Sequence, residues 1–545
     1  NDNVKNETLA QYSSNATTPI SNTEYKYNQL GQNIIINKDG TDNYRMQYDE
    51  AGNIKSYVTP NGTGTLYSYD ERNFLNEINI GQNDFPSLVE IDYSYDANGN
   101  RTSQHLVQQF NDKPTLDENF SYKYDYANQL VQEVIPLTGE EKTYSYDQLG
   151  NRTKIVTKSS NNEQKVVEHT FNERNQLTEI KDGTSSTKWK YDDNGNLLDD
   201  GKFLYEWDSA NRLQNIKNKQ TSSLIAEYWY DELNRRIQKK IGDEITNYVY
   251  KDESIDVLYE TDAQENITAY HTFNANKLLL TRTEIDGEVR TTYHYHYNGH
   301  GDVVMVTKDG ASTKKDLIVA SYIYDAWGNI IYQEGEYAND NPYRYAGYQY
   351  DIETGNYYLL ARYYNPVAGV MLSLDAYSGD DNDLLTQNGY NYANNNPVMM
   401  VDPDGNIAWW LVAAGVGAAL NSLPMVISHY RKHKTLRGMN WYRFSIAALV
   451  GALTSLGGGG LYRGIASIGA NVIGRIATMA GYGAKAYILN TVARGKTPTL
   501  KGLRNAYLSG GYFQGMQMMK RIKFIWDMYK RTKNKRQFNQ AIRRL

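Results

Sequence analysis

Few side chains in this sequence have the types and spacing that catalysis or metal binding requires. His429 and His433 stand one helical turn apart, so on a helix they would share a face. With neighbouring Lys, Arg or Tyr they could serve general acid–base chemistry. The pair is embedded in Arg431, Lys432 and Lys434 with no carboxylate beside it, which argues against zinc. His294-x-His296, with His300 close behind, could line one strand face as metal ligands. Asp402-x-Asp404-Gly405-Asn406 opens like a calcium loop but lacks the spacing and terminal Glu of an EF-hand. The same Asp402-Pro403-Asp404-Gly405 also reads as an ordinary turn, and Asp380-Asp381-Asn382-Asp383 as a solvated loop. The chain has 0 Cys, so disulfide staples and thiolate metal sites are excluded. No metal and no cofactor is expected.

The elements that would carry these residues fall into two unlike parts. Residues 407–545 hold 22 Lys and Arg against a single acid, Asp527. Residues 1–406 hold 35 basic and 62 acidic residues. At 545 residues the chain exceeds one ordinary core, and the charge split suggests two jobs. Tyr is abundant, at 49 copies against 11 Phe; a ring with a polar tip suits sheets that are wet on one face. The chain opens Asn1-Asp2-Asn3 without Met or an apolar leader, which reads as a mature piece with any signal peptide upstream.

From residue 20 to about 330 a degenerate unit recurs: aromatic-x-Tyr-Asp, two residues, then Gly-Asn or a variant. It stands as Tyr93-Ser94-Tyr95-Asp96-Ala97-Asn98-Gly99-Asn100-Arg101 and again as Tyr144-Ser145-Tyr146-Asp147-Gln148-Leu149-Gly150-Asn151-Arg152. Further copies sit at Tyr48-Asp49, Tyr69-Asp70, Tyr124-Asp125, Tyr191-Asp192, Trp207-Asp208, Tyr230-Asp231 and Tyr324-Asp325, with longer gaps where units have decayed. Alternating stretches have the period of a strand, and Asp followed by Gly-Asn supplies turn chemistry, so each unit reads as a hairpin. No unit can bury its apolar face alone, so neighbours must pair edge to edge. A β-solenoid or propeller fits the repeat length equally well.

These units resemble the YD repeats of RHS proteins, toxin-complex C subunits and teneurins, over roughly residues 20–406. The segment 297–406 extends the resemblance through Asn298-Gly299-His300-Gly301-Asp302, Tyr324-Asp325-Ala326-Trp327-Gly328-Asn329, Leu360-Ala361-Arg362-Tyr363-Tyr364-Asn365-Pro366, Leu372-Ser373-Leu374-Asp375 and Val401-Asp402-Pro403-Asp404-Gly405-Asn406. This order is similar to the RHS-associated core, and its Asn-Gly-His-Gly-Asp form to that of Firmicutes wall-associated toxins. The chain departs from the family pattern at Gly369, where Val370-Met371 stands for Arg-Phe, and at Asn365, where Asp is usual.

The resemblance implies a mainly β fold: a strand spiral closing into a hollow shell (1–296), a core with a self-cleavage site (297–406), and a cargo domain (407–545). It implies a cut between Asn406 and Ile407, with Arg362, Asp375 and Asp402 as the cutting apparatus. That set makes chemical sense. Two neighbouring carboxylates do not both ionise cheaply, so one can activate water while the other donates a proton. An Arg can orient a carboxylate or stabilise an oxyanion.

The cargo segment is rich in Gly, Ala, Ile and Leu and is expected to be mostly helical. Residues 407–427 carry no charge over 21 residues, a bilayer-spanning length. Met519, Ile522, Trp526 and Tyr529 fall on one helical stripe flanked by Lys520, Arg521, Lys523, Lys530 and Arg531. Membrane action is the expectation, in competition between bacteria. The alternative is a ribonuclease, since an excess of 21 positive charges suits phosphate. A second alternative is a surface adhesion scaffold with 407–545 as its anchor. Expected partners are the cleaved fragment held by its own acidic shell, a cognate immunity protein, and membrane or RNA as target. The expected location is secreted or cell-wall associated, with the cargo delivered to a target cell.

Overall fold

The computed structural model describes residues 6–13, 16–40, 42–82, 85–110, 113–274, 278–311, 313–376, 385–405 and 409–410. Asn406, Ile407, His429, His433, residues 380–383 and the rest of 407–545 that bear on the cargo expectations lie outside them. The described part is mainly β. A 16-stranded antiparallel sheet runs in strict sequence order from Asn6–Ser13 to Ser185–Lys188, and a 14-stranded one from Lys190–Tyr191 to Ile330–Glu334. Within each sheet every strand pairs with its neighbours in sequence, so each is one meandering ribbon rather than a set of separate propeller blades.

The repeat unit explains both the turns and the Tyr content. In the unit headed by Asp96, the carboxylate accepts the backbone N–H groups of Asn98 (2.8 Å) and Asn100 (2.9 Å) and the side-chain amide of Asn100 (3.1 Å). Gly99 closes the turn at φ +87°, a left-handed conformation that glycine adopts without strain. Asp147 repeats the pattern with Leu149 and Asn151. Where Gly is missing, Asn takes the left-handed position, as at Asn73, Asn128 and Asn211. The gaps in the sequence pattern are intact turns headed by other residues. Asn172 accepts the N–H groups of Arg174 and Gln176, Asp262 those of Gln264 and Asn266, and Asn298 those of His300 and Asp302. An amide oxygen substitutes for a carboxylate here because the turn needs only an acceptor.

In many units the aromatic before the Asp reaches back to the preceding unit. Tyr48 donates to the Asn33 carbonyl (2.8 Å), Tyr69 to Ile54 (3.0 Å), Tyr95 to Leu75 (2.6 Å), Tyr124 to Arg101 (2.7 Å) and Tyr324 to Val303 (3.0 Å); Trp207 does the same through its indole N–H to Leu197 (2.7 Å). These hydroxyls satisfy backbone carbonyls, which Phe cannot do. A register shift falls at this same aromatic in unit after unit, for example at Ser68/Tyr69, Ser94/Tyr95 and Ser145/Tyr146. Such bulges bend the strand and increase its twist, and repetition at one position coils the ribbon.

Coiling brings late strands against early ones. Tyr25 bonds Phe273, Lys38 bonds Thr283 and Asn61 bonds Thr307, at sequence separations of 248, 245 and 246. Further along, the separation falls to 196 between Gln108 and Val304 and to 183 between Lys142 and Asp325. The two sheets share a core in which Ile78, Ile91 and Leu130 join Met305, Ile323 and Trp327. At this contact Glu133 is buried, accepting from Tyr144 (2.7 Å) and from the Ala326 N–H (2.9 Å). Burial, then the Asp325 carboxylate, push its carboxyl from 4.5 up to about 7, against the pull of Lys142.

Replacing Tyr95 with Phe removes one such back-bond and should lower stability by about 1 kcal/mol in a denaturant titration; the same change at fully exposed Tyr126 should cost nothing measurable. Glu133 titrates higher folded than unfolded, so its contribution is complete below 4.5 and lost as pH rises through about 7. The stability of Glu133→Gln relative to the parent should therefore rise with pH across that window, measured by denaturant midpoints.

Candidate active site

The segment after the ribbon folds inward as a four-stranded sheet, Gln349–Asp351, Asn356–Tyr358, Tyr363–Asn365 and Val370–Met371. Its aromatic side chains Tyr357, Tyr364 and Tyr392 are wholly buried. The segment is pinned to the ribbon by charge. Arg236 meets Asp351 at 2.7 Å and Lys239 meets it at 2.8 Å; burial pulls the Asp351 carboxyl up, but these two cations bring it down to about 2. The two family departures are absorbed locally. The Asn365 amide oxygen accepts the Ala368 N–H (2.9 Å), as an Asp would. Val370 and Met371, which stand where the family has Arg-Phe, are both buried apolar residues.

Arg362 lies directly before the strand Tyr363–Asn365 and is 5% exposed. Its guanidinium makes four polar contacts. Nε donates to the Gly405 carbonyl, Nη1 to the Gly389 carbonyl (2.9 Å), and Nη2 meets the carboxylates of Asp375 (2.8 Å) and Asp402 (3.1 Å). The two carboxylates thus lie side by side on one nitrogen. Asp375 is held by its backbone N–H on the Gly389 carbonyl (3.0 Å). The Asp402-Pro403-Asp404-Gly405 turn is pressed onto the chain before Arg362: Ala361 N–H donates to the Asp404 carbonyl (3.1 Å). A Cβ at Gly405, which has φ +74°, would stand 2.6 Å from the Leu359 carbonyl oxygen, so only glycine fits.

Asp402 is 2% exposed and ends a short strand, Met400–Val401, that pairs antiparallel with Trp409–Trp410. The undescribed residues 406–408, which include the expected cut between Asn406 and Ile407, lie between these paired strands in sequence. The Asp402 N–H donates to the Tyr348 hydroxyl (2.9 Å), and Tyr348 meets the Tyr392 hydroxyl (3.2 Å). Burial, then the Asp402 carboxylate, push the Tyr348 phenol well above its usual range.

The structure brings Arg362, Asp375 and Asp402 together as one cluster. The three histidines each take a different partner. His294 pairs with Asp309 (2.7 Å), His296 with Thr307 (3.0 Å) and His300 with Asp302 (2.7 Å). Among the described residues no group of three or more His, Cys, Asp or Glu is arranged to hold a metal. His300 instead turns its Nε2 to the Met400 carbonyl (3.3 Å), two residues before Asp402. Burial raises the Asp302 carboxyl, but the His300 ring and bonds from Ala346 and Asn298 hold it below its usual value. Tyr348, Tyr392 and the Gly389 carbonyl were not singled out from sequence, and His300 was weighed only as a metal ligand and as part of a family motif. Tyr348 is one tyrosine in an aromatic run, and a backbone carbonyl leaves no side-chain signal.

Strand order and turn geometry define the class as a coiled, YD-repeat β-ribbon protein. The chain belongs to the YD-repeat (RHS-type) family: the Teneurin YD-shell family matches residues 68–398 and the RHS Repeat family residues 48–79. It is 43% identical over 399 residues to the tRNA3(Ser)-specific nuclease WapA of Bacillus spizizenii, covering 72% of this chain and 16% of that protein. It is 44% identical over 442 residues to the tRNA(Glu)-specific nuclease WapA of Bacillus subtilis subsp. natto, covering 80% of this chain and 17% of that protein. The chain thus spans about a sixth of the length of these relatives. The solved pore state of the Photorhabdus luminescens Tc holotoxin has the same fold, with a TM-score of 0.58 at 19% identity over 74% of this chain and 22% of that one. No helix among the described residues is long and apolar enough to cross a membrane.

Replacing Arg362 with Met should strand two neighbouring carboxylates and destabilise the fold by on the order of 3 kcal/mol. Adding Asp375→Asn and Asp402→Asn to that variant should restore most of the loss, as read by thermal melting.

Proposed function

We propose that the chain belongs to a toxin whose coiled ribbon forms a hollow shell (1–296), whose core (297–406) cuts the chain between Asn406 and Ile407, and whose C-terminal segment (407–545) is a mostly helical, RNA-degrading effector. The observation that carries the cleavage reading is the Arg362 guanidinium holding Asp375, Asp402 and the Gly405 carbonyl at once. Gly405 is joined directly to Asn406, so this contact fixes the chain as it enters the proposed scissile bond. One carboxylate takes a proton from water, whose oxygen adds to the Asn406 carbonyl carbon. The other carboxyl gives a proton to the Ile407 nitrogen as the C–N bond breaks. Arg362 keeps the two acids adjacent at a tolerable electrostatic cost and leaves both bound to one cation.

For the effector, the comparisons favour the nuclease alternative over the membrane reading. Both Bacillus relatives are tRNA nucleases. A match spanning 80% of the chain cannot be contained in residues 1–406, so the similarity to the second relative runs into the C-terminal segment. His429 and His433 are the acid–base candidates, and the surplus of Lys and Arg would bind phosphates. An acidic shell would hold this basic fragment after the cut, and a neutralising partner would protect the producing cell. Secretion or wall attachment followed by delivery into a target cell is part of the same proposal.

Intact mass and denaturing electrophoresis of purified protein should give two fragments meeting at Asn406 and Ile407. Asp375→Asn and Asp402→Asn should each remain one chain; cutting in either would sink its assignment. The isolated 407–545 fragment should degrade RNA and leave anionic vesicles intact, with His429→Ala and His433→Ala impaired. Dye release without RNA loss would reverse the choice of effector.

A further inference from the structure

Asp402 needs an anchor besides Arg362. It stands between the Met400–Val401 strand and Pro403, which has no N–H to donate. Its own N–H is therefore the last backbone donor available to fix the chain before Asp404. In a site this buried that group must find an acceptor, and it finds a side chain from a distant part of the core. Tyr348 lies 54 residues earlier, and its hydroxyl oxygen is 2.9 Å from the Asp402 nitrogen.

The hydroxyl is itself held. It lies 3.2 Å from the Tyr392 hydroxyl, and the Tyr392 ring stacks on Tyr364 with centroids 4.1 Å apart. The Tyr348 ring lies edge-on to Tyr345 and Tyr357, at centroid distances of 6.3 Å for each. On the other side of Val401, His300 faces the Met400 carbonyl. The peptide that carries Asp402 is thus gripped before and at the residue, while the carboxylate is gripped by Arg362.

We propose that Tyr348, braced by Tyr392, is a positioning residue for the self-cleavage reaction, fixing the Asp402 backbone so that its carboxylate meets the scissile bond in register. The assignment rests on the cleavage reading above. Tyr348 bonds the Asp402 backbone rather than Arg362, so its effect is through Asp402. An error of about 1 Å in a reacting group can cost about a hundredfold in rate. Removing the phenol also takes a polar neighbour from a buried carboxylate, which disfavours its charged form.

The test uses the full chain made by cell-free synthesis, with cleavage followed over time by denaturing electrophoresis at a series of pH values. Tyr348→Phe should slow the cut by about ten- to a hundredfold and move the pH–rate profile to higher pH. Tyr392→Phe, which keeps both rings, should slow it less. Tyr357→Phe removes another buried back-bond, to the Gly328 carbonyl (2.9 Å), and should cut at the parent rate. Thermal melting of the cleavage-blocked Asp375→Asn background, with and without each change, reports folding separately. A parent-like rate and profile in Tyr348→Phe overturns the proposal, as does equal slowing in Tyr348→Phe and Tyr357→Phe with no change of profile. If Tyr348→Phe fails to fold, a parent-like rate and profile in Tyr392→Phe overturns it. An uncut parent chain overturns the cleavage reading itself, a distinct result.

Discussion

The architecture depends on one constraint: every buried peptide group in a long ribbon of short strands must be satisfied, and each unit supplies what its neighbour lacks. The Asp or Asn heading a turn satisfies two N–H groups within its own unit. The aromatic before it satisfies a carbonyl in the unit behind. Side-chain amides then link turn to turn, as Asn53 to Asn73 (2.6 Å), Asn100 to Asn128 (2.9 Å) and Asn196 to Asn211 (2.9 Å). The bulge recurs at the same aromatic in unit after unit, so the curvature accumulates. Tyr or Trp at these places supplies a donor to a carbonyl of the unit behind, whereas the turns headed by Asn172 and Asn274 follow Phe171 and Phe273 and go without it.

The same turns serve as sockets for the segment that carries the site. Asn388 donates to Asn151 (2.7 Å), Asn395 to the Gly150 carbonyl (2.6 Å) and Asn396 to Asn100 (3.0 Å). Tyr390 donates to the Gly195 carbonyl (2.8 Å). The Asn-rich stretch before Pro397 is therefore a set of amide plugs cut to fit the repeat. Arg362 can hold two carboxylates and two carbonyls because the pieces bearing them, 362, 375, 389 and 402–405, are each tied to a surrounding wall that does not yield.

Much of this was legible in the sequence because it is local. Tyr-Asp-x-x-Gly-Asn encodes its turn within six residues, and strand alternation shows in the same window. The units headed by Asn172, Asp262 and Asn298 were harder to see because their acceptor, their left-handed residue or their aromatic is swapped for a physical equivalent. Arg362, Asp375 and Asp402 were named through family resemblance; nothing in their spacing of 13 and 27 residues says that they meet. Tyr348 and the Gly389 carbonyl were invisible, since their roles exist only once the segment is folded against the ribbon. The charge split between 1–406 and 407–545 showed two parts but could not choose between RNA and membrane as target, because both present anionic phosphate.

The sequence separations across the coil also impose an order in time. Strand pairs form between neighbours, which is fast, whereas contacts such as Asn61 with Thr307 or Asn100 with Asn396 must close loops of 246 and 296 residues. The sockets for Asn395 and Asn396 come from early units, the clamp on Asp351 comes from Arg236, and the plugs themselves come last. A nascent chain can thus wind its ribbon as it emerges, but the Arg362 cluster cannot assemble until Gly405 has been made and the coil has closed on itself. Assembly of the cluster is clocked by completion of the fold.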